Sequence, residues 1–175
     1  MNRGAAMLRL TIPRETDLPA LTDYRREVFL GDGDFDGTAG LGSASDAAEW
    51  LARLKVLSSP DAPRRGWLRT FVYLGYDGGR LCGIVNIRPT EDEAVRTAGH
   101  IGYHVRPSER RRGYGRELLM RGASLCRVHG IAAPLVCVQA DNEASIRTAL
   151  SAGFIPDGEE RHPEYGRILR FRADF

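Results

Sequence analysis

The spacing of apolar residues predicts a short strand and two helices in the first part of the chain, followed by strands that alternate with helices. The alternating segment MLRLTI predicts a first strand over residues 7–12. A first helix is predicted over TDLPALTDYRREVFL, with Thr16 or Asp17 as its N-cap, and a second over SASDAAEWLARLKVL, with Ser43 or Ser45. The loop between them, GDGDFDGTAGLGS, is rich in glycine and aspartate.

Further along the chain, the apolar period changes to two. The strands WLRTFVYLGY and RLCGIVNIRP flank the turn signal DGG and predict an antiparallel hairpin. After the polar loop TEDEAVRT come the strand AGHIGYHV, the helix GYGRELLMRGASLCRVHG and the apolar strand APLVCVQA, which together predict a right-handed parallel crossover over residues 100–139. A helix, NEASIRTALSAGF, and a strand, YGRILRFRADF, close the chain. We therefore expect one mixed α/β domain over residues 1–175.

Composition narrows the class of protein. The 175 residues are 42% hydrophobic and 27% charged, with a net charge of +2, as in a globular domain. Near-neutral charge without a basic stripe argues against a nucleic-acid partner. The three cysteines include no C-x-x-C pair, so neither a disulfide framework nor a zinc site is expected. No apolar run approaches the roughly 20 residues of a membrane span, which favours a cytoplasmic protein without membrane contact.

The segment RRRGYG, Arg110 to Gly115, lies between the strand ending at Val105 and the helix beginning near Gly113. The first N–H groups of a helix lack internal partners and bind phosphate, and glycines let the backbone approach an anion closely. Arginines add positive charge. The segment is therefore suited to holding a diphosphate, although a basic run beside glycine is also typical of a solvated turn.

RRRGYG resembles the R/Q-x-x-G-x-G/A motif of the GNAT acyl-CoA N-acyltransferase superfamily, and VQADNEASIRTALSAGF resembles the segment that follows it there. The stretch GHIGYHVRPSERRRGYG is similar to a bacterial branch of predicted acetyltransferases. The resemblance implies a GNAT-like α/β fold. Its central sheet is mixed and mostly antiparallel, with one parallel strand pair that splays apart and helices on both faces.

The resemblance also implies acetyl-CoA as co-substrate. In the superfamily, backbone groups of the strand before the motif pair with the pantetheine arm, the motif wraps the pyrophosphate, and an Asn contacts the arm near the thioester. On this sequence the implied cofactor-binding residues are Tyr103, His104, Val105, Arg110, Arg111, Arg112, Gly113, Tyr114, Gly115, Arg116 and Asn142.

The implied reaction is direct attack by the primary amine of a small acceptor on the thioester. Many superfamily members carry a tyrosine as general acid where this chain has Ala149, so Tyr103 or Tyr114 is a candidate replacement. His100 is the candidate base, although strand alternation places it on the face opposite Tyr103 and Val105. Two alternatives stay open: a longer acyl donor, or a non-catalytic acyl-CoA-binding or sensor module, which the alanine at 149 motivates.

Acceptor pockets in the superfamily lie between the first two helices and the central strands. Asp34 and Asp36 belong to a segment that matches the start of an EF-hand loop, but Ser43 replaces the required glutamate, so no metal is expected. The segment is either a flexible acidic loop or a lid that attracts a cationic amine.

Asn86 and Arg88 end the returning hairpin strand and are further candidates for acceptor binding. Arg88 pairs either with an acceptor carboxylate or with Glu91 or Asp92 at the surface. An arginine and an acidic loop at one pocket would suit a zwitterion. The resemblance also makes a homodimer possible.

Overall fold

The computed structural model of the protein describes residues 8–175. Within them, the strands are β1 (Arg9–Thr11), β2 (Phe71–Asp77), β3 (Arg80–Ile87), β4 (Ile101–Val105), β5 (Leu135–Gln139), β6 (Phe154–His162) and β7 (Gly166–Ala173). The α-helices are α1 (Leu18–Leu30), α2 (Ala47–Leu57), α3 (Val95–Ala98), α4 (Tyr114–Val128) and α5 (Glu143–Ser151). None of the helices in this part of the chain is long and apolar enough to cross a membrane.

All strands belong to one sheet in the order β1-β2-β3-β4-β5-β7-β6. Neighbouring strands are antiparallel except β4 and β5, which are parallel and joined through α4. One core packs α1 and α2 on β2 and β3 around Tyr24, Trp50 and Leu74. The other packs α4 and α5 on the opposite face around Leu118 and Phe154. The predicted mixed sheet with a parallel pair and helices on both faces is confirmed.

Three predictions of secondary structure need correction. Strand β6 was not predicted, because FIPDGEERH is polar and lies at the sheet edge, where pairing with β7 alone holds it. The polar loop after β3 ends in the short helix α3. The N-cap of α2 is Asp46 and not Ser43 or Ser45; its carboxylate accepts the Glu49 N–H at 2.8 Å. Met7, in the first predicted strand, lies outside the described residues.

The connection from β4 to α4 is held in place by buried charge. Arg106, with 4% of its side chain exposed, forms ion pairs with Asp23 and Glu27 of α1. The Ser108 N–H donates to Glu27 at 2.8 Å. The Arg106 hydrogen bond lowers the pKa of Asp23. Burial tends to raise the pKa of Glu27, but hydrogen bonds from Ser108 and Arg106 outweigh it and hold that pKa below its ordinary value.

The segment between α1 and α2, residues 31–46, is here called the acidic loop, and it lies against β4. Gly37 has φ +80°, and a Cβ there would come within 2.1 Å of the Tyr103 carbonyl oxygen. The Asn86 side chain donates to the Gly37 carbonyl at 2.7 Å. It passes over Gly102, where a Cβ would lie 2.8 Å from its Nδ2 atom. Two glycines thus allow the loop and the strand to approach closely.

We expect Arg106→Met to lower the free energy of unfolding by about 2 kcal/mol, since it removes the buried cation from two carboxylates and leaves them only partners near the surface. The folded-state pKa values of Asp23 and Glu27 both lie below the ordinary values of 3.8 and 4.5. The stabilisation by these ion pairs is therefore present above those values and is lost as the pH falls through the lowered pKa values. Urea denaturation near pH 7 and near pH 3.5 measures the difference, which should shrink in acid.

The control for this experiment is Arg26→Met, because Arg26 pairs with the same Asp23 at the surface. It should cost less than about 0.5 kcal/mol. Equal losses of unfolding free energy for the two variants would contradict the conclusion that the buried ion pairs of Arg106 hold this connection in place.

Gly37→Ala should lower the free energy of unfolding by about 3 kcal/mol or more, because it adds steric overlap with β4 to the strain of a positive φ. Gly33→Ala is the matched control in the same loop. It has φ +68° and no atom within 4 Å of its Cβ, so only about 1 kcal/mol of strain is expected. Urea denaturation compares the two, and equal losses would show that the acidic loop does not lie on β4.

Candidate active site

The parallel strands β4 and β5 diverge. Their register contains one pair, Ile101 with Val136, preceded by a hydrogen bond from the His100 N–H to the Leu135 carbonyl at 2.8 Å. On its other side β4 stays paired with β3 as far as Val105. β5 stays paired with β7 along its whole length. The gap that opens between β4 and β5 beyond Ile101 is here called the cleft.

The edge of β4 that faces the cleft carries backbone groups that no neighbouring strand pairs. The Arg106 N–H donates to β3 at 2.9 Å, and the His100 carbonyl accepts from β3 at 2.7 Å. Alternate residues of a strand direct their backbone groups to opposite sides. Tyr103 and Val105 therefore direct their N–H and C=O groups into the cleft. An extended ligand could pair there as an additional strand would.

The N-terminus of α4 opens beside the cleft. The helix begins at Tyr114, and its N-cap, Gly113, is in the left-handed region with φ 87°. Arg111 also has a positive φ, 63°. No hydrogen bond within residues 8–175 uses the backbone N–H groups of residues 111–116 as donors. A Cβ on Gly113 would meet no atom within 4 Å, so this turn is open to an anion.

The arginine side chains of the motif differ in what they contact. Arg110 pairs with Asp32 and donates through Nε to the Val105 carbonyl at 3.2 Å. Arg112 pairs with Glu109 of the preceding turn. Arg116 donates to the carbonyl of Ser151 at 2.8 Å. Arg111 is exposed. Most of these arginine side chains therefore already have partners within the protein. The loop would bind a diphosphate mainly through its backbone N–H groups.

A cavity of about 270 Å³ occupies the cleft. Four of the residues predicted from the sequence line it: Tyr103, Asn142, Arg88 and Asp36. Asn142 is the N-cap of α5, where its side-chain oxygen accepts the Ser145 N–H at 3.0 Å. Its amide NH₂ group remains as a donor. The cavity thus brings together residues from the predicted cofactor and acceptor sides.

Tyr103 is the tyrosine that lies in the cleft. Its hydroxyl is 3.1 Å from the Ser145 hydroxyl on α5, one turn before the buried Ala149. Burial raises the pKa of Tyr103, so the phenol keeps its proton at neutral pH. The Tyr114 hydroxyl instead donates to Asp77 at 2.5 Å, outside the cleft. Of the two candidate tyrosines, the structure brings only Tyr103 to the cleft.

The structure does not bring His100 to the cleft. Its Nδ1 accepts the Leu135 N–H at 3.0 Å, so its Nε2–H donates to the Thr90 carbonyl at 3.0 Å. Burial lowers its pKa. A histidine with both ring nitrogens bound to backbone holds the first residues of β5 beside β4, and nothing in this geometry supports the role of base.

His104 lies on the other face of β4 from Tyr103, as strand alternation predicts. Its Nδ1 is 2.6 Å from the Tyr24 hydroxyl of α1. Burial, followed by the positive charge of Arg110, lowers the pKa of His104 to about 4. Its side chain is a neutral part of the core, while its neighbours Tyr103 and Val105 line the cleft edge.

The acceptor candidates take different places. Asp36 lines the cavity, and partial loss of hydration, followed by the charge of Asp34, raises its pKa. Asp34 is exposed and accepts the Asp36 N–H at 2.9 Å. Asn86 is buried and anchors the acidic loop, so it does not reach the cavity. Arg88 bonds to backbone carbonyls, and the expected surface pairing with Glu91 or Asp92 is not observed.

Other residues of the site were missed from the sequence. Ser145 orients Tyr103, and Thr97 and Tyr165 line the cavity. An isolated glycine within a strand often marks a close backbone approach, so Gly102 was a usable signal for the loop contact. Within residues 8–175, no group of three or more His, Cys, Asp or Glu side chains is placed to hold a metal ion.

Comparison with solved structures shows which proteins share this fold. RimJ from Mycobacterium smegmatis, in complex with CoA-disulfide, is 19% identical over 97% of this chain and 83% of its own, with a TM-score of 0.72. A Salmonella typhimurium acetyltransferase that modifies the N-terminal serine of ribosomal protein L7/L12 is 17% identical over 97% and 95%, with a TM-score of 0.67. The microcin C7 self-immunity acetyltransferase MccE, in complex with acetyl-CoA and AMP, is 15% identical over 97% and 93%, with a TM-score of 0.70.

At these identities the structural similarity establishes the fold. No curated protein sequence matches the chain. The profile of the acetyltransferase (GNAT) family, however, matches residues 44–154, which is more than half of the chain and includes the cleft and the N-terminus of α4. The protein therefore belongs to the GNAT acetyltransferase family.

Proposed function

We propose that this protein is an N-acetyltransferase that transfers an acetyl group from acetyl-CoA to the primary amine of a small acceptor by direct attack. The observation that carries the proposal is the divergence of β4 and β5 beside the open N-terminus of α4. Membership of the family supports this chemistry. So do the CoA-disulfide bound to the mycobacterial RimJ and the acetyl-CoA bound to MccE.

The residues at the cleft fit coenzyme A. The N–H groups of residues 111–116 would hold the pyrophosphate, and the Tyr103 backbone and the Val105 carbonyl would pair with the pantetheine arm. Asn142 would donate its free amide to that arm. For the pairing to form, Arg110 would have to release the Val105 carbonyl that it now contacts. Bound acetyl-CoA would supply the acetyl group as an activated thioester.

The protein would contribute position, polarisation and a proton. The Val105 N–H, directed into the cleft, would stabilise negative charge on the carbonyl oxygen. Tyr103, held by Ser145 and protonated at neutral pH, would give its proton to the departing thiolate. Since neither His100 nor His104 faces the cleft, the amine would enter neutral and lose its proton to water.

The alternative is a non-catalytic acyl-CoA-binding or sensor module, and its support is the alanine at position 149. It predicts that acetyl-CoA binds but that no amine releases the thiol. A longer acyl donor is a second alternative within the same fold. Comparing acetyl-CoA with longer acyl-CoA thioesters in the same thiol-release assay separates the two donor classes.

Acetyl-CoA at a hundredfold excess over its Kd should stabilise the protein by about 2.7 kcal/mol, measured by thermal unfolding. Gly113→Asp should remove this shift, because it places a carboxylate where the diphosphate would bind. Gly130→Asp is the control near the other end of α4. It has a similar φ of 92° and open space around its Cβ, so the shift should remain. An absent shift in the parent, or an unchanged one in Gly113→Asp, would refute cofactor binding at this loop.

Tyr103→Phe should reduce kcat about a hundredfold while leaving the acetyl-CoA thermal shift intact, since only the proton donor is lost. The assay is thiol release from acetyl-CoA with a primary amine. Tyr76→Phe is the control, because its hydroxyl also has a side-chain hydrogen-bond partner, the Asp17 carboxylate at 2.7 Å, but lies outside the cleft. Unchanged kcat in Tyr103→Phe would remove this residue from the mechanism.

A further inference from the structure

Arg88 occupies the end of the cavity away from α4. Its N–H donates to the His100 carbonyl at 2.7 Å, so it continues β3 by one residue. Its side chain lines the same cavity as Tyr103 and Asp36. The guanidinium is held from one side only, because Nη1 donates to the carbonyls of Ala98 and Gly99 at 3.1 and 3.0 Å.

The charge of Arg88 lacks a counter-ion in the described part of the chain. Its environment lowers its pKa by burial, and no carboxylate offsets that effect. Two arginines with strongly shielded side chains are neutralised: Arg106 by Asp23 and Glu27, and Arg170, with 12% of its side chain exposed, by Glu160. Arg25 and Arg69, which are half-buried and also bond to backbone carbonyls, instead each lie over an aromatic ring. Arg88 is half-buried, has no aromatic ring from residues 8–175 under its guanidinium and lines the cavity, so its charge is available to an anionic ligand.

The free edge of the Arg88 guanidinium has a specific shape. No hydrogen bond within residues 8–175 uses Nε or Nη2. Their N–H groups point in the same direction and match the two oxygens of a carboxylate.

The part of the cavity beside Tyr103 carries a carboxylate. Asp36 lines it next to Gly37, which lies on the backbone of Tyr103. Arg88 lies opposite His100 on the neighbouring strand. Tyr103 is three residues further along, which is about 10 Å in an extended strand. The cavity therefore suits a molecule with an amine at one end and a carboxylate at the other, separated by a spacer.

We infer that the acceptor is a small amine that also carries a carboxylate, and that Arg88 binds this carboxylate and so determines acceptor specificity. The inference rests on the proposed acetyl transfer and adds the chemical class of the acceptor. Asp36 contributes attraction for the amine end. An acceptor with a spacer, such as an ω-amino acid or a dipeptide, fits the separation better than a simple α-amino acid.

The test compares acceptors that differ only in their carboxylate. The probes are 6-aminohexanoate, glycylglycine and lysine, each against its own carboxamide, in a thiol-release assay at saturating acetyl-CoA. The parent should prefer the best acid over its amide by about a hundredfold in kcat/KM, the value of a charge-assisted bidentate contact. Arg88→Met should abolish that preference, with the change mainly in KM.

Two further variants keep the test independent of folding. Arg88→Lys keeps the charge and a hydrogen-bond donor but loses the fork, so it should retain about a tenfold preference. Arg65→Met removes an exposed arginine and should behave as the parent. The acetyl-CoA thermal shift of each variant reports whether its cofactor site is intact.

The inference is overturned if the parent uses amides as well as acids, or if Arg88→Met keeps the preference. It is also overturned if an aminophosphonate is acetylated with a higher kcat/KM than the corresponding carboxylic acid. A third contrary result is that the carboxylic acids are inert while amines without a carboxylate react. The failure of the proposed function looks different: no acetyl-CoA thermal shift, or no thiol release with any amine. The two results are therefore distinguishable.

Discussion

The single-residue pairing between β4 and β5 is the constraint on which the rest of the site depends. Each strand is fully paired on its other side, β4 with β3 and β5 with β7, so the sheet tolerates the gap. A continuous ladder would satisfy the cleft-facing groups of Tyr103 and Val105 and leave no room for a ligand. The open backbone edge, the cavity and the helix terminus beside it all follow from this one divergence.

Buried contacts around the cleft fix where the divergence begins and what faces it. His100 holds the first residues of β5 beside β4, so the strands separate only beyond Ile101. The ion pairs of Arg106 tie the loop before α4 to α1. The contact between Gly37 and β4 brings the acidic loop to the cavity. The geometry of the cleft thus depends on buried contacts outside it as well as on the residues that line it.

The sequence predicted correctly those features that are set by residues close together in the chain. Periodicity and caps located α1, α4 and α5, and the motif located the open helix terminus, because each is set by residues close in sequence. β6 was missed, since its stability comes from pairing with β7 and its sequence lacks apolar alternation. The places of Arg88 and Asn86 were open for the same reason. The first depends on α3 and the second on a loop about 50 residues earlier, so the residues next to Arg88 and Asn86 in sequence do not reveal either contact.

The alternation of side chains along β4 has a consequence for how such a protein can change. Gly102 faces the Asn86 side chain that holds the acidic loop, and His104 faces α1, while Tyr103 faces α5. Substitutions on one face therefore leave the other largely undisturbed. Under the proposed function, a lineage built on this strand can change its acceptor through the residues that face the acidic loop and keep its acyl donor throughout.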